Sequence, residues 1–226
     1  MQKQSNVQLF EALVEAIPPQ FAAGLLSSYP RLCAEAEQVA LGHPLIEQPE
    51  AKYVIPHFRR GLVETAVRRL AREAGLETYA RPNANGSSSF TMVKAGRFVL
   101  TASYVETPGK NVRRAIFRSE AAELNEFLDQ LDMFGYDEAG IDKQEIVLAD
   151  AIYGILLYGG EGGGSFMEVA LPNQSGSGYV ERYKLSDILE ASNMRNTEAT
   201  DSDKFDVSPK PRRNRKDGST GESGKV

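Results

Sequence analysis

The 226-residue chain carries 26 basic and 31 acidic side chains, a formal net charge of −5, and is 41% hydrophobic, enough apolar material for one sizeable domain or two small ones. No apolar run reaches the roughly eighteen residues of a spanning helix, and the polar start Met-Gln-Lys-Gln-Ser-Asn lacks the apolar stretch of a secretory signal. Cys33 is the single cysteine, which excludes an intramolecular disulfide and a thiolate metal cluster; it reads as a buried small apolar residue, and a reducing, cytoplasmic setting is expected.

In chain order, Val7, Phe10, Leu13, Val14 and Ile17 keep helical spacing up to a stop at Pro18-Pro19. Two shorter helices are expected over about 20–28 and 30–41, broken at Pro30. Gly42-His43-Pro44 through Pro49 reads as a loop on turn chemistry. The best-defined element is an amphipathic helix from about Pro56 to Ala74. Leu62, Val63, Ala66, Val67, Leu70 and Ala74 fall on one face, and Thr65, Arg68, Arg69 and Arg72 on the other. Gly75 supplies its stop, because glycine takes the left-handed conformation without a Cβ penalty.

A β region follows. Glu77 to Arg81 predicts a strand, Pro82 to Gly86 a turn, and Phe90 to Lys94 with Arg97 to Tyr104 a hairpin around Ala95-Gly96. Thr107-Pro108-Gly109-Lys110 predicts another turn, leading into a short strand at Val112–Phe117. Ser119 then caps a helix over about 120–132, with Leu124, Phe127, Leu128 and Leu131 inward. The apolar run within Ile146 to Tyr158 predicts a strand, turned back by Gly159 to Gly164 onto strands at Ser165 to Leu171 and Tyr179 to Tyr183, and a helix at about 185–191 closes the fold. The expected class is α+β: N-terminal helices over 1–51, a central amphipathic helix and a mainly antiparallel sheet, in one domain over 1–192. Residues 193–226 are too polar to offset their chain entropy and read as a disordered charged tail.

Charge is segregated along the chain. Residues 1–51 carry 2 basic and 6 acidic side chains, 52–118 carry 13 and 4, 119–190 carry 3 and 15, and 191–226 carry 8 and 6. Such blocks bear on partners rather than on fold. The candidate nucleic-acid contacts are Arg59, Arg60, Arg68, Arg69, Arg72, Arg81, Lys94, Arg97, Lys110, Arg113 and Arg114, with Arg118 closing the block. They are accompanied by the loops Asn83–Ser89 and Thr107–Asn111. Arginine, backbone N–H, Asn and Ser are the usual phosphate contacts. The competing reading is that the acidic helix beginning at Glu120 neutralises this surface within the fold. In the tail, Lys210 to Lys216 holds five positive charges in seven residues, a source of nonspecific, salt-sensitive affinity or simply a solubilising segment.

Catalytic motifs fail on their own requirements. A PD-(D/E)xK nuclease needs carboxylates on neighbouring strands to hold a metal, and here Glu64 lies on a helix while Phe90 to Lys94 and Arg97 to Tyr104 contain no acid. His43 and His57 lack metal-ligand spacing. The glycine-rich run from Tyr158 to Ser165, Tyr-Gly-Gly-Glu-Gly-Gly-Gly-Ser, has no lysine for a phosphate loop and precedes a strand rather than a helix. No catalytic residue, metal or cofactor is assigned. The sequence points to a non-enzymatic regulatory or accessory binding protein, without membrane association, whose expected partner is DNA or RNA bound through residues 59–118. The alternatives are a protein-binding module, inhibitor- or antitoxin-like, that uses the acidic 119–150 surface, or a nuclease-like fold lacking its usual carboxylates.

Overall fold

A computed structural model of the chain describes residues 2–82, 86, 89–126, 128, 151–160 and 164–205. The elements in order are helices α1 (Gln2–Ala16), α2 (Pro19–Leu41) and α3 (Gln48–Glu73), then strands β1 (Glu77–Pro82), β2 (Ser89–Ala95) and β3 (Phe98–Tyr104). Helix α4 (Ile116–Ala122) runs into a 3₁₀ turn at Glu123–Asn125; strands β4 (Ile152–Gly159), β5 (Phe166–Pro172) and β6 (Tyr179–Lys184) follow, and α5 (Leu185–Phe205) comes last. The strands form one sheet in the order β1-β2-β3-β4-β5-β6. Every neighbouring pair is antiparallel except β3 and β4, which run parallel from Phe98 beside Ile152 to Tyr104 beside Tyr158. The chain is an α+β protein with a mixed, mostly antiparallel sheet.

The two sheet faces carry separate cores. On one, Leu13, Ile17, Phe21, Leu25, Val63, Val67 and Ile188 of the long helices meet Val93, Phe98, Leu100, Leu156 and Val169. On the other, Ala122 packs with Val105, Tyr153, Ile155, Leu157 and Ala170. Strand β4 lies between the two and is buried along its whole length. Burial on both faces explains why its sequence is a continuous apolar run instead of an alternation.

Asn125 fastens the second layer to the sheet. Its Nδ2 donates to the carbonyls of Tyr153 (2.8 Å) and Pro172 (2.7 Å), and its Oδ1 accepts from the Tyr153 N–H at 2.8 Å. A fully buried amide is stable only when its donors and acceptor are paired in this way. Gly159 marks a close approach: a Cβ there would stand 1.9 Å from the Val105 carbonyl oxygen.

Several expectations are corrected. Pro30 does not break the second helix; α2 continues through it. The lost bond and ring clash cost about 3 kcal/mol. Phe21, Leu25 and Tyr29 before the proline and Cys33, Ala36 and Ala40 after it are buried on one continuous stripe, and each large apolar side chain contributes about 1.5–3 kcal/mol. Helix α3 begins at Gln48 rather than near Pro56, with Pro49 in its first turn, where a missing N–H costs nothing. The expected loop is correspondingly shorter. Val7 is 51% exposed and Leu9 takes the inward place. Gly75 does end α3 with a φ of +78°.

No strand forms at Val112–Phe117. Asn111 Nδ2 donates to the Ser177 carbonyl at 3.0 Å and the Val112 N–H to the Tyr179 hydroxyl at 3.1 Å, so this segment is pinned to the β5–β6 turn and not to a strand edge. Helix α4 then starts at Ile116, which places Ser119 inside it, its Oγ 3.4 Å from the Ala115 carbonyl. The tightening at Glu123–Asn125 turns Asn125 inward and leaves Leu124 45% exposed, while Leu128 is buried as expected. Phe127 and Leu131 lie outside the described residues. Helix α5 extends to Phe205, beyond position 193 where the tail was expected to begin; Leu185, Ile188 and Ser192 bury its start, and Ser192 Oγ donates to the Val14 carbonyl at 3.3 Å. Residues 206–226, with the basic heptad, are outside the described residues.

Two expected outcomes test this packing. Val67→Asp places a charge on the buried face of α3 and should cost on the order of 3 kcal/mol or more, whereas Arg69→Glu on the exposed face should change stability by less than about 1 kcal/mol. Urea denaturation midpoints separate the two. Asn125→Ala leaves three backbone groups unpaired and should cost about 3 kcal/mol or more at 1–3 kcal/mol per buried group; Asn125→Asp, which lacks the two donors, should not restore the midpoint.

Candidate nucleic-acid interface

A groove of about 1170 Å³ lies at the carboxyl-terminal end of the parallel pair. Lys52, Pro56, Arg60 and Glu64 recur every fourth residue along α3 and so share one helix face, which forms one wall. Tyr104 and Tyr158, at the ends of β3 and β4, are the floor. The loop after β3 supplies Glu106, Lys110 and Asn111, and the approach to α4 supplies Arg113, Ile116, Phe117 and Arg118. Six basic side chains line the groove (Lys52, Arg59, Arg60, Lys110, Arg113, Arg118) against three carboxylates, Glu37, Glu64 and Glu106.

Those carboxylates are engaged. Glu106 pairs with Lys110 at 2.9 Å, and the hydrogen bond and charge of the lysine hold its carboxyl below the usual range. Glu64 Oε2 accepts the Thr91 N–H at 2.9 Å. Glu37 is 3.8 Å from Arg59, a buried guanidinium that also lies 5.4 Å from the centre of the Tyr104 ring. Arg118 is held differently: Nη1 donates to the Arg113 carbonyl at 2.7 Å and Nη2 to Ser103 Oγ at 2.9 Å, with the guanidinium 4.9 Å from the Phe117 ring centre. Its Nε is buried without a hydrogen-bond partner among the described residues. Burial lowers its pKa, but an arginine stays protonated through any such shift.

Behind the floor is a run of tyrosines. Tyr104 meets Tyr158 edge-on at 6.0 Å, and Tyr158 meets Tyr29 of α2 at 5.6 Å. Burial raises the hydroxyl pKa of Tyr158 and of Tyr29 well above the ordinary value, and pushes that of Tyr153, on the other sheet face, up to about 12 despite its 2.7 Å hydrogen bond with Thr101.

Of the residues expected to contact nucleic acid, the fold brings Arg59, Arg60, Lys110 and Arg113 together in this groove, with Arg118 beside them. Arg68 and Arg72 instead donate to Thr91 Oγ1 and Thr78 Oγ1, both at 3.0 Å, and tie α3 to the sheet edge; Arg69 pairs with Glu73 at 3.1 Å. Arg81 is exposed on edge strand β1, and Lys94 on β2 lies opposite Glu77. Arg97 sits at the β2–β3 turn, about 23 Å from Tyr104 at 3.3 Å per residue, and Arg114 lines a small adjoining crevice with Pro172 and Tyr179, which shares Arg113 and Arg118 with the groove. Of the loop Asn83–Ser89, only Gly86 and Ser89 are described. Lys52, Tyr104 and Phe117 were not singled out in the sequence. The signal for Tyr104 was an aromatic closing a strand just before a Pro-Gly loop.

The acidic block does not line this groove among the described residues. Glu120, Glu123 and Glu126 are exposed, and Asp129 to Asp150 lie outside the described residues. Nor do the described residues include a group of three or more His, Cys, Asp or Glu able to hold a metal ion. His57 lines the groove; His43 accepts the Leu45 N–H in an exposed loop. No single helix among the described residues is long and apolar enough to cross a membrane. No family model, characterised protein or solved structure matches the chain.

The buried tyrosines carry a pH signature. Unfolded, they titrate near 10; folded, they keep their protons to higher pH, so their contribution to stability is complete below about pH 10 and is lost as pH rises through the native values. Urea midpoints should hold up to about pH 9.5 and fall between about pH 10 and 12. Tyr158→Phe, which removes one such proton, should flatten the fall.

Proposed function

We propose that this chain is a non-enzymatic binding protein of regulatory or accessory type that binds nucleic acid through phosphate contacts in the groove. One observation carries the reading. Lys52 and Arg60 on α3, and Lys110, Arg113 and Arg118 in the stretch from the loop after β3 into α4, converge from two separated parts of the chain on one concavity. Arg59 is already committed to Glu37 and Tyr104, and Lys110 to Glu106. Lys52, Arg60, Arg113 and Arg118 remain as charge facing the groove with no ion pair among the described residues. Cations gathered on an open concave surface focus the field on an anionic ligand, and phosphates, like carboxylates, are ligands that arginine binds in bidentate fashion.

Each phosphate contact displaces condensed counterions, so affinity falls with salt at a slope of about 0.7–0.9 per contact. The test uses the full chain with Lys210, Arg212, Arg213, Arg215 and Lys216 replaced by serine, which removes binding by the tail. Arg60→Glu with Arg113→Glu should weaken binding to a short oligonucleotide at least about tenfold and reduce the salt slope by about two, with the melting curve unchanged. Arg69→Glu with Lys94→Glu, outside the groove, should leave affinity within about twofold. Absence of binding to single- and double-stranded nucleic acid at about 50 mM salt would overturn the reading in favour of a protein-binding module.

A further inference from the structure

We propose that the groove takes a single strand rather than a duplex, with one base stacked on Tyr104 and the flanking phosphates on Arg60 and Arg113; this rests on the nucleic-acid reading above. The floor is aromatic where a purely electrostatic site has no need of a ring. Tyr104 is 41% exposed, yet it is held in place by the Arg59 guanidinium 5.4 Å from its centre and by Tyr158 edge-on at 6.0 Å. A ring already immobilised in the unbound protein loses little rotamer freedom when a base stacks on it. The guanidinium beside it supplies the cation–π contact that accompanies stacking on such platforms.

Arg60 of α3 and Arg113 before α4 line the same groove as this ring. That is the pattern of sites that track a backbone while stacking its bases. A duplex meets a protein surface with phosphates and sugar outward and its base faces covered by their neighbours, so it leaves an aromatic floor without a partner. A strand whose bases can be splayed out uses both parts of the site.

The test compares fluorescein-labelled dT12, the same sequence paired with dA12, and inorganic polyphosphate, on the full chain with the five tail substitutions. The single strand should bind about tenfold or more tighter than the duplex, as one stacked base contributes about 1–3 kcal/mol. Tyr104→Leu, which keeps apolar bulk but no π face, should weaken dT12 by about tenfold and polyphosphate by less than about twofold. In the unsubstituted protein, photocross-linking of a 4-thiothymidine oligonucleotide should label the peptide that holds Tyr104, a readout that needs no folded variant. Equal affinity for strand and duplex, equal loss of dT12 and polyphosphate in the leucine variant, or cross-links confined elsewhere would overturn the inference while the nucleic-acid reading stands. Failure to bind any nucleic acid would overturn both.

Discussion

The parallel pairing of β3 with β4 is the constraint from which the rest of the architecture follows. Antiparallel neighbours are joined by a tight turn, as β2 and β3 are at Gly96-Arg97, but a parallel neighbour requires the chain to travel back the length of the sheet. The described start of that connection, residues 105–126, places α4 on the sheet face that the long helices leave bare and brings the Thr107–Asn111 loop to the end of β3. Because the two strands point the same way, Tyr104 and Tyr158 finish side by side, and the groove lies where the chain leaves them.

The groove shows how a buried charge is kept. Removing a guanidinium from water is expensive unless charge and hydrogen bonds replace the lost hydration. Arg59 meets a carboxylate and an aromatic face; Arg118 meets a carbonyl, a hydroxyl and an aromatic face. The second solution satisfies donors without cancelling the positive charge. That difference in partners is why one arginine acts chiefly as a brace for Tyr104 and the other remains a source of field.

Much of this was legible in the residues, because local chemistry and tertiary packing agree over most of the chain. The 3.6-residue stripe of α3, its stop at Gly75, the β2–β3 hairpin and the strand after the glycine-rich run all rest on signals within a dozen residues. Where the reading departs from the structure, a distant partner decides. Pro30 is overruled by a burial stripe on both sides of it, Val112 by a tyrosine on β6, and the inward face of the α4 segment by backbone groups of β4. Charge behaved similarly. The basic block was visible as composition, but composition does not separate Arg60 in the groove from Arg72 bonded to Thr78 or Arg97 at the far end of β3. That separation needs the sheet register and helix phase together.

Strand β4 also raises a question of information. A half-buried strand states its own register, since a slip by one residue moves its apolar side chains into water. A strand buried on both faces says nothing of the kind: moved by one, Ile152 to Tyr158 would still be apolar above and below. What distinguishes the correct alignment here is shape and polarity at a few points. Gly154 lies where a Cβ would come within 2.7 Å of Leu100, Gly159 passes the Val105 carbonyl, and the Tyr153 peptide must meet Asn125. The absent side chain at Gly159, where a Cβ would meet backbone, and one amide from outside the strand thus act as the alignment key for the centre of the sheet, while at Gly154 the neighbour is the flexible end of Leu100, which can give way. A change at Gly159 or Asn125 would blur the pairing of β4 while leaving every large apolar side chain of the strand in place.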